Sequence, residues 1–189
     1  ILGNVLPAGV GQAPARQAAM YGGLPDSVEC TTINKMCGSG LKAIMLSNQI
    51  ISSGDSKIVI AGGMENMSLS PHILPNSRIG NRLGHGKIID TMIIDGLWDV
   101  YGQTHMGNCA ELCAKEYNFS REEQDEFAIQ SYKKSQMAQS KGYFKSEITP
   151  VVINDRKGNR IVIDKDEEPE RVKFDKISSL RPAFDKNGT

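Results

Sequence analysis

The chain has 189 residues, with 22 basic and 22 acidic side chains and no net charge at pH 7. This balance gives no reason to expect a nucleic-acid-binding surface, and no apolar run approaches the ~20 residues that span a membrane. Four unevenly spaced cysteines do not form a disulfide scaffold, so we expect a reducing compartment, cytoplasmic or mitochondrial. Because the chain begins in a predicted strand without methionine, we expect it to be part of a longer protein.

Residues 1–63 alternate predicted strands and helices. A short strand is expected over 1–6, a helix from Pro14, and an apolar strand over 57–61 that ends in a pair of glycines. Gly9 and Gly11 resemble the start of a dinucleotide fingerprint, but Pro14 stands where the third glycine belongs and favours the first turn of a helix. The alternation predicts an α/β layer with a parallel sheet.

Cys37 lies at the joint between a predicted strand and a predicted helix. The segment 28–54 begins with β-branched residues, turns at Cys37-Gly38-Ser39-Gly40, and continues with apolar residues at helical spacing. Unbonded N–H groups and the helix dipole at such a joint favour a thiolate, so Cys37 is a candidate nucleophile. The alternative is a buried structural cysteine in a tight turn.

The region after residue 67 has a different composition. Residues 68–85 have no clear helical or strand period and predict a long loop. Such a loop is functional, forms an interface, or is a mobile surface loop. A short amphipathic helix is expected over 90–98, and a longer one from Thr104. Cys109 and Cys113 share a face of that helix, where core packing is favoured over metal binding because no further ligand pair completes a tetrahedral set.

The last third of the chain carries a capping signal and a hairpin signal. Ser120 and Glu123 form a capping box that begins a helix over 120–141. Apolar strands flank the turn residues 154–159 and predict a β-hairpin. The acidic run 164–168 lacks the spacing of a calcium loop, so we interpret it as a solvated linker and expect no metal site.

Several motifs in order resemble the thiolase family. The runs NKMCGSGLKA, KIVIAGG and GGMENMS are similar to the N-terminal half of a thiolase, and GLWDVYGQTHMGNCAE and LRPAFDKNGT to later segments. The resemblance implies a thiolase-like α/β fold, with residues 1–66 in the N-terminal core and 67–189 in the loop domain. It further implies a homotetramer in which the region 68–85 helps assembly.

By the same resemblance, Cys37 is the catalytic nucleophile that accepts an acyl group from acyl-CoA. The activity implied is the condensation of two acetyl-CoA to acetoacetyl-CoA and its reversal, with coenzyme A as substrate or product and no other cofactor. His105 and Met106 match the segment beside the pantetheine arm and acyl pocket. The remaining implied CoA-binding residues are Leu97, Arg171, Ala183 and Phe184.

Two family features do not occur in the sequence. Thiolases use a histidine in a Gly-His-Pro segment and a second cysteine in a Cys-x-Gly segment, whereas the histidines here are His72, His85 and His105. We expect truncation rather than different chemistry, and no turnover by these 189 residues alone. Two alternatives stay open: a longer-chain 3-ketoacyl-CoA thiolase, which the histidine of the His-Met pair disfavours, and a non-catalytic CoA-binding piece.

Overall fold

The computed structural model describes all residues from Ile1 to Thr189, which divide into two compact units, 1–106 and 107–189. The first unit contains a three-stranded parallel sheet in the order β2-β1-β3, formed by β1 (Leu2–Gly3), β2 (Thr32–Ile33) and β3 (Gly62–Gly63). The α/β layer with a parallel sheet is therefore confirmed. The predicted domain boundary at 66/67 stays a prediction.

Two strand predictions differ from the structure: β1 covers only Leu2–Gly3 of the predicted 1–6, and the strand predicted over 57–61 is found instead at Gly62–Gly63. The parallel register pairs Leu2 with Gly62 and Gly3 with Gly63. Most of residues 57–61 would therefore pair with positions before Ile1, and these residues form no strand pairing. The amino group of Ile1 still donates a hydrogen bond of 2.7 Å to the Ile60 carbonyl oxygen. The glycines that follow the apolar run, and not the run itself, therefore make the sheet contacts.

Two helices cover this sheet. Helix α1 (Pro14–Tyr21) begins at Pro14, as predicted, after Ala13 in the left-handed region (φ 45°). Helix α2 (Ser39–Ser53) follows β2 after the five residues 34–38, and Gly54 is its C-cap. Its buried face consists of small residues four apart: Ser39, Ala43 and Ser47. The large apolar side chains of α2 that the sequence pattern singled out are exposed or half-buried.

The predicted loop 68–85 is closed at its base. Strand β4 (His72–Ile73) pairs antiparallel with β5 (Ile89–Asp90). The buried Thr91 hydroxyl donates a 2.5 Å hydrogen bond to the Pro71 carbonyl oxygen and lies 2.9 Å from the Ser70 hydroxyl. The outer part of the loop carries two exposed aliphatic side chains, Ile79 and Leu83. Both ends of the excursion are thus fixed to each other.

The expected short helix near 90–98 is a single π-helical turn over Met92–Leu97. It leads into β6 (Trp98–Asp99), which pairs antiparallel with β7 (Thr104–His105). Helix α3 (Met106–Tyr117) follows without a gap and buries only Ala114. The packing role expected of Cys113 is wrong, since Cys113 is exposed, while Cys109 is half-buried as a packing role allows.

The second unit contains the predicted capping box and hairpin, and both are confirmed. In helix α4 (Arg121–Ser140), Ser120 Oγ accepts from the Glu123 N–H at 3.1 Å, and Glu123 Oε2 accepts from the Ser120 N–H at 2.8 Å. Strands β8 (Val151–Asn154) and β9 (Arg160–Ile163) form a separate antiparallel sheet. The Asn159 side-chain amide, which bonds to Asp155 in the turn, lowers the pKa of that carboxyl.

The chain ends with helix α5 (Glu168–Arg171) and a 3₁₀ turn over Phe174–Ser179, in which Ile177 is buried. No helix of the structure is both long and apolar enough to cross a membrane.

Candidate active site

Cys37 lies where β2 passes into α2, at the carboxyl end of the parallel sheet. Ligands of open α/β sheets bind outside the carboxyl ends of the strands, and the neighbouring strands end at the same edge, at Gly3 and Gly63. The Cys37 side chain is exposed. The buried structural role that the sequence left open is therefore wrong.

The backbone on both sides of Cys37 is fixed by two polar side chains. Met36 adopts the left-handed conformation, with φ 51°, which costs a side-chain-bearing residue energy. The Asn34 side-chain oxygen accepts the Met36 N–H at 2.9 Å. Ser39 Oγ accepts the Lys35 N–H at 2.9 Å and donates to the Met36 carbonyl oxygen at 2.5 Å. These bonds hold residues 34–40 in a tight turn, here called the Cys37 elbow, with the thiol on its outer side.

The amino end of α2 has no capping side chain. Its N-cap residue is Gly38, and the first helical bond runs from the Lys42 N–H to the Gly38 carbonyl oxygen. Helix amino ends present partial positive charge, which stabilises an anion beside them. A thiolate at Cys37, or an oxyanion formed there, would lie next to that charge.

A glycine lets the helix start lie against the sheet. A Cβ added at Gly3 in β1 would lie 2.5 Å from the Ser39 Cβ, 2.7 Å from the Ser39 carbonyl carbon and 2.9 Å from the Gly40 nitrogen. Any larger residue at position 3 would therefore push the elbow away from β1. Sequence reasoning missed the parts played by Gly3, Asn34 and Ser39, because each depends on contacts that a local pattern does not encode.

Leu97, His105 and Met106 lie around one tight turn in the first unit. Leu97 ends the π turn ahead of β6, and His105 is half-buried in β7 opposite Trp98. The Asp99 carboxylate closes the turn by accepting the Tyr101 N–H at 3.1 Å and the Gly102 N–H at 3.0 Å. Met106 is the first residue of α3 and is exposed. These three predicted residues are thus grouped, although their CoA-binding role stays a prediction.

Ala183 and Phe184 line a cleft of about 320 Å³ in the second unit. The Phe184 ring lies against Gly107, and a Cβ added at Gly107 would overlap that ring. Arg121 forms a wall of the cleft and is bonded to Asp125 at 2.8 Å. An apolar ring beside fixed polar groups is the usual lining of a ligand site.

Arg171 lies apart from that cleft. It ends α5 and forms an exposed ion pair with Glu167. Its guanidinium would have to leave this pair to meet an adenine or a phosphate, so the predicted CoA contact receives no support from the structure. No group of three or more His, Cys, Asp or Glu residues is arranged to hold a metal ion.

The fold and the elbow define an α/β protein with an exposed cysteine at the carboxyl edge of a parallel sheet. The family model described as thiolase, N-terminal domain, matches residues 1–189. The chain belongs to the thiolase family, and the predicted thiolase-like fold is confirmed.

Relatives and a solved structure agree with this assignment. An acetyl-CoA acetyltransferase of Cupriavidus necator is 56% identical over 190 residues, covering 100% of this chain and 48% of the relative. A probable acetyl-CoA acyltransferase of Staphylococcus aureus gives the same identity and coverage. A thiolase from Ascaris suum, crystallised in complex with coenzyme A, is 40% identical with a TM-score of 0.87 over 98% of this chain and 46% of that chain. The chain thus spans about half the length of the relatives it matches.

Proposed function

We propose that the chain supplies the nucleophile of an acetyl-CoA acetyltransferase, which joins two acetyl-CoA into acetoacetyl-CoA and also catalyses the reverse thiolysis. The observation that carries the proposal is the Cys37 elbow: an exposed thiol beside an uncapped helix start, on a backbone held by Asn34 and Ser39. The names of the 56% identical relatives support acetyl-CoA as the substrate.

In the first half-reaction, the Cys37 thiolate attacks the thioester carbonyl carbon of acetyl-CoA. The carbon–sulfur bond to CoA breaks, the CoA thiolate takes a proton, and acetyl-Cys37 remains. In the second half-reaction, a general base removes a proton from the methyl group of another acetyl-CoA. The resulting carbanion forms a carbon–carbon bond to the acetyl carbonyl carbon, and the carbon–sulfur bond to Cys37 breaks and restores the thiolate. The oxyanions formed in both steps would be stabilised by main-chain N–H groups at the start of α2.

The test of this assignment compares the four cysteines of the full-length protein that carries this chain. We expect iodoacetamide to alkylate Cys37 faster than Cys113, because of these two exposed cysteines only Cys37 lies at a helix start. Cys30 and Cys109 should react more slowly still because they are half-buried. Mass spectrometry of each cysteine-containing peptide over time gives the four rates.

Acetyl-CoA should slow the alkylation of Cys37 and leave that of Cys113 unchanged, which makes Cys113 the internal control. Labelling of Cys37 no faster than Cys113 would contradict the nucleophile assignment. Acetoacetyl-CoA and longer 3-ketoacyl-CoA substrates, compared in thiolysis, separate the proposed activity from that of a longer-chain thiolase.

We also propose that the full-length protein is a homotetramer assembled in part through the loop 68–85. The fixed base at Thr91 and the exposed aliphatic side chains of Ile79 and Leu83 support this role, because exposed apolar side chains on an anchored loop are typical of an interaction surface. Leu83 is fully exposed, so it can be changed without cost to the folded chain itself.

We expect Leu83→Asp to shift the protein from tetramers to smaller species in sedimentation velocity, because the carboxylate would be buried without a partner at the interface. Asn81→Asp places the same charge in the same loop without removing an apolar contact and should stay tetrameric. A wild-type protein that is not a tetramer, or a tetrameric L83D variant, would refute this role of the loop.

A further inference from the structure

Glu65, just after β3, holds the chain that leaves β1. Its carboxylate accepts hydrogen bonds from Asn4 Nδ2 at 2.8 Å, from the Val5 N–H at 2.8 Å and from the Leu6 N–H at 2.9 Å. Hydrogen bonds to an ionised acceptor are shorter and stronger than neutral ones. Asn4 is buried and also donates to the Met64 carbonyl oxygen at 3.1 Å. One carboxylate thus fixes three consecutive residues at the carboxyl edge of the sheet.

The segment that Glu65 holds supports the Cys37 elbow at two points. Gly3, immediately before it, is the residue against which Ser39 and Gly40 of the helix start are packed. The Val5 carbonyl oxygen accepts a long hydrogen bond of 3.5 Å from Asn34 Nδ2, and the same Asn34 side chain accepts the Met36 N–H. A displacement of residues 3–5 would therefore be transmitted to both sides of Cys37.

A contribution to folding stability does not by itself explain the hydrogen bonds between Glu65 and Asn4. The other side-chain atom of Asn4, Oδ1, is buried and has no hydrogen-bond partner, which lowers the stability of the folded state. Glu65 itself is exposed as a residue and reaches back to the strand ends. A pair that tolerates an unsatisfied buried oxygen, and whose bonds hold the segment that supports the elbow, is explained by the geometry that it imposes.

We propose that Glu65 and Asn4 are positioning residues that set the Cys37 thiol for attack by fixing the β1 end beneath the elbow. The proposal rests on the proposed function, since it assigns these residues to the acyl transfer at Cys37. Neither residue is part of the chemistry: Glu65 acts through β1, Gly3 and Asn34.

The test is Glu65→Gln in the full-length protein. Glutamine has a single acceptor oxygen and an amide group that would face a backbone N–H donor, so it cannot replace all three bonds. We expect kcat for acetoacetyl-CoA thiolysis to fall roughly 10- to 100-fold, the effect of a small misplacement of a reacting group, with KM unchanged. The rate of Cys37 acetylation by acetyl-CoA, followed by mass spectrometry, should fall by the same factor.

Glu65→Asp keeps the charge on a shorter side chain and should recover part of the lost kcat. If E65Q does not fold, E65D decides the question, with reduced kcat at unchanged KM as the supporting result. Glu29→Gln makes the same charge change at an exposed residue of the same unit and should behave as wild type.

A folded E65Q variant with wild-type kcat, or an equal loss of kcat in E29Q, would overturn the proposal. A rise in KM with unchanged kcat would also overturn it, because it would indicate substrate binding rather than positioning. If the wild-type protein is not acetylated at Cys37, the proposed function itself fails. If the wild type and E65Q are acetylated equally fast, only the positioning role fails.

Discussion

Replacement of Cys37 by alanine in the full-length protein is expected to abolish acetoacetyl-CoA thiolysis. In the proposed mechanism the Cys37 thiolate forms the acyl-enzyme, and no other side chain at the elbow could take its place, since Asn34 and Ser39 are both engaged in holding the backbone. Removal of a catalytic nucleophile lowers turnover on the order of 10⁴-fold or more. The measurement is the initial rate of acetyl-CoA formation from acetoacetyl-CoA and CoA.

The same variant should bind CoA as tightly as the wild type, because the predicted CoA-binding residues are other side chains. Equilibrium binding by calorimetry separates loss of chemistry from loss of the site. Cys113→Ala, which removes another exposed thiol, is the matched control and should keep full activity. A C37A variant with more than about one per cent of wild-type turnover would show that the nucleophile lies elsewhere.

The sequence predicts the elbow well because its signals are local. β-branched residues ahead of Cys37 favour a strand, and the small residues after it permit the sharp turn into α2. The capping box at Ser120 and Glu123 and the hairpin around Asp155 are confirmed for the same reason: a few neighbouring side chains satisfy the local backbone. Such features can be predicted without knowing which distant residues contact them.

The buried face of α2 could not be predicted from its apolar period. Leu41, Ile44 and Met45 mark the helix correctly, yet all three are exposed, while Ser39, Ala43 and Ser47 meet the sheet. Close packing of a helix on strands that carry glycine selects small side chains at the contact. The large residues therefore form a second, exposed face of α2. Whether such a face is buried depends on other parts of the protein and not on the helical period.

The bonds that fix the elbow were also beyond sequence reasoning. Glu65 and Asn4 are separated by about sixty residues, and only the parallel register of β1 and β3 brings them together. The roles of Leu97, His105, Met106, Ala183 and Phe184 came from the resemblance alone. The structure groups the first three around one turn and the last two in one cleft, but their contacts with CoA remain a prediction.

Gly3→Ala should be among the most destabilising single substitutions of the first unit, and it should also slow the reaction of Cys37. Two of the three atoms that the new methyl group would meet, the Ser39 carbonyl carbon at 2.7 Å and the Gly40 nitrogen at 2.9 Å, belong to the main chain. A side chain could rotate away, whereas these atoms can move only with the first turn of α2. Such overpacking costs about 1–3 kcal/mol and sometimes more.

Gly62→Ala is the matched control, because it adds the same methyl group to the neighbouring strand at 3.6 Å from Leu2 Cδ2, an ordinary contact. Urea unfolding gives the two losses of stability, and iodoacetamide gives the two Cys37 rates. We expect G3A to lower both the stability and the Cys37 rate, and G62A to leave the Cys37 rate unchanged, because the Cβ added at Gly3 meets Ser39 and Gly40 whereas that added at Gly62 meets only Leu2. Equal midpoints and equal rates in the two variants would mean that α2 can move outward freely, and that contact with β1 does not set the position of Cys37.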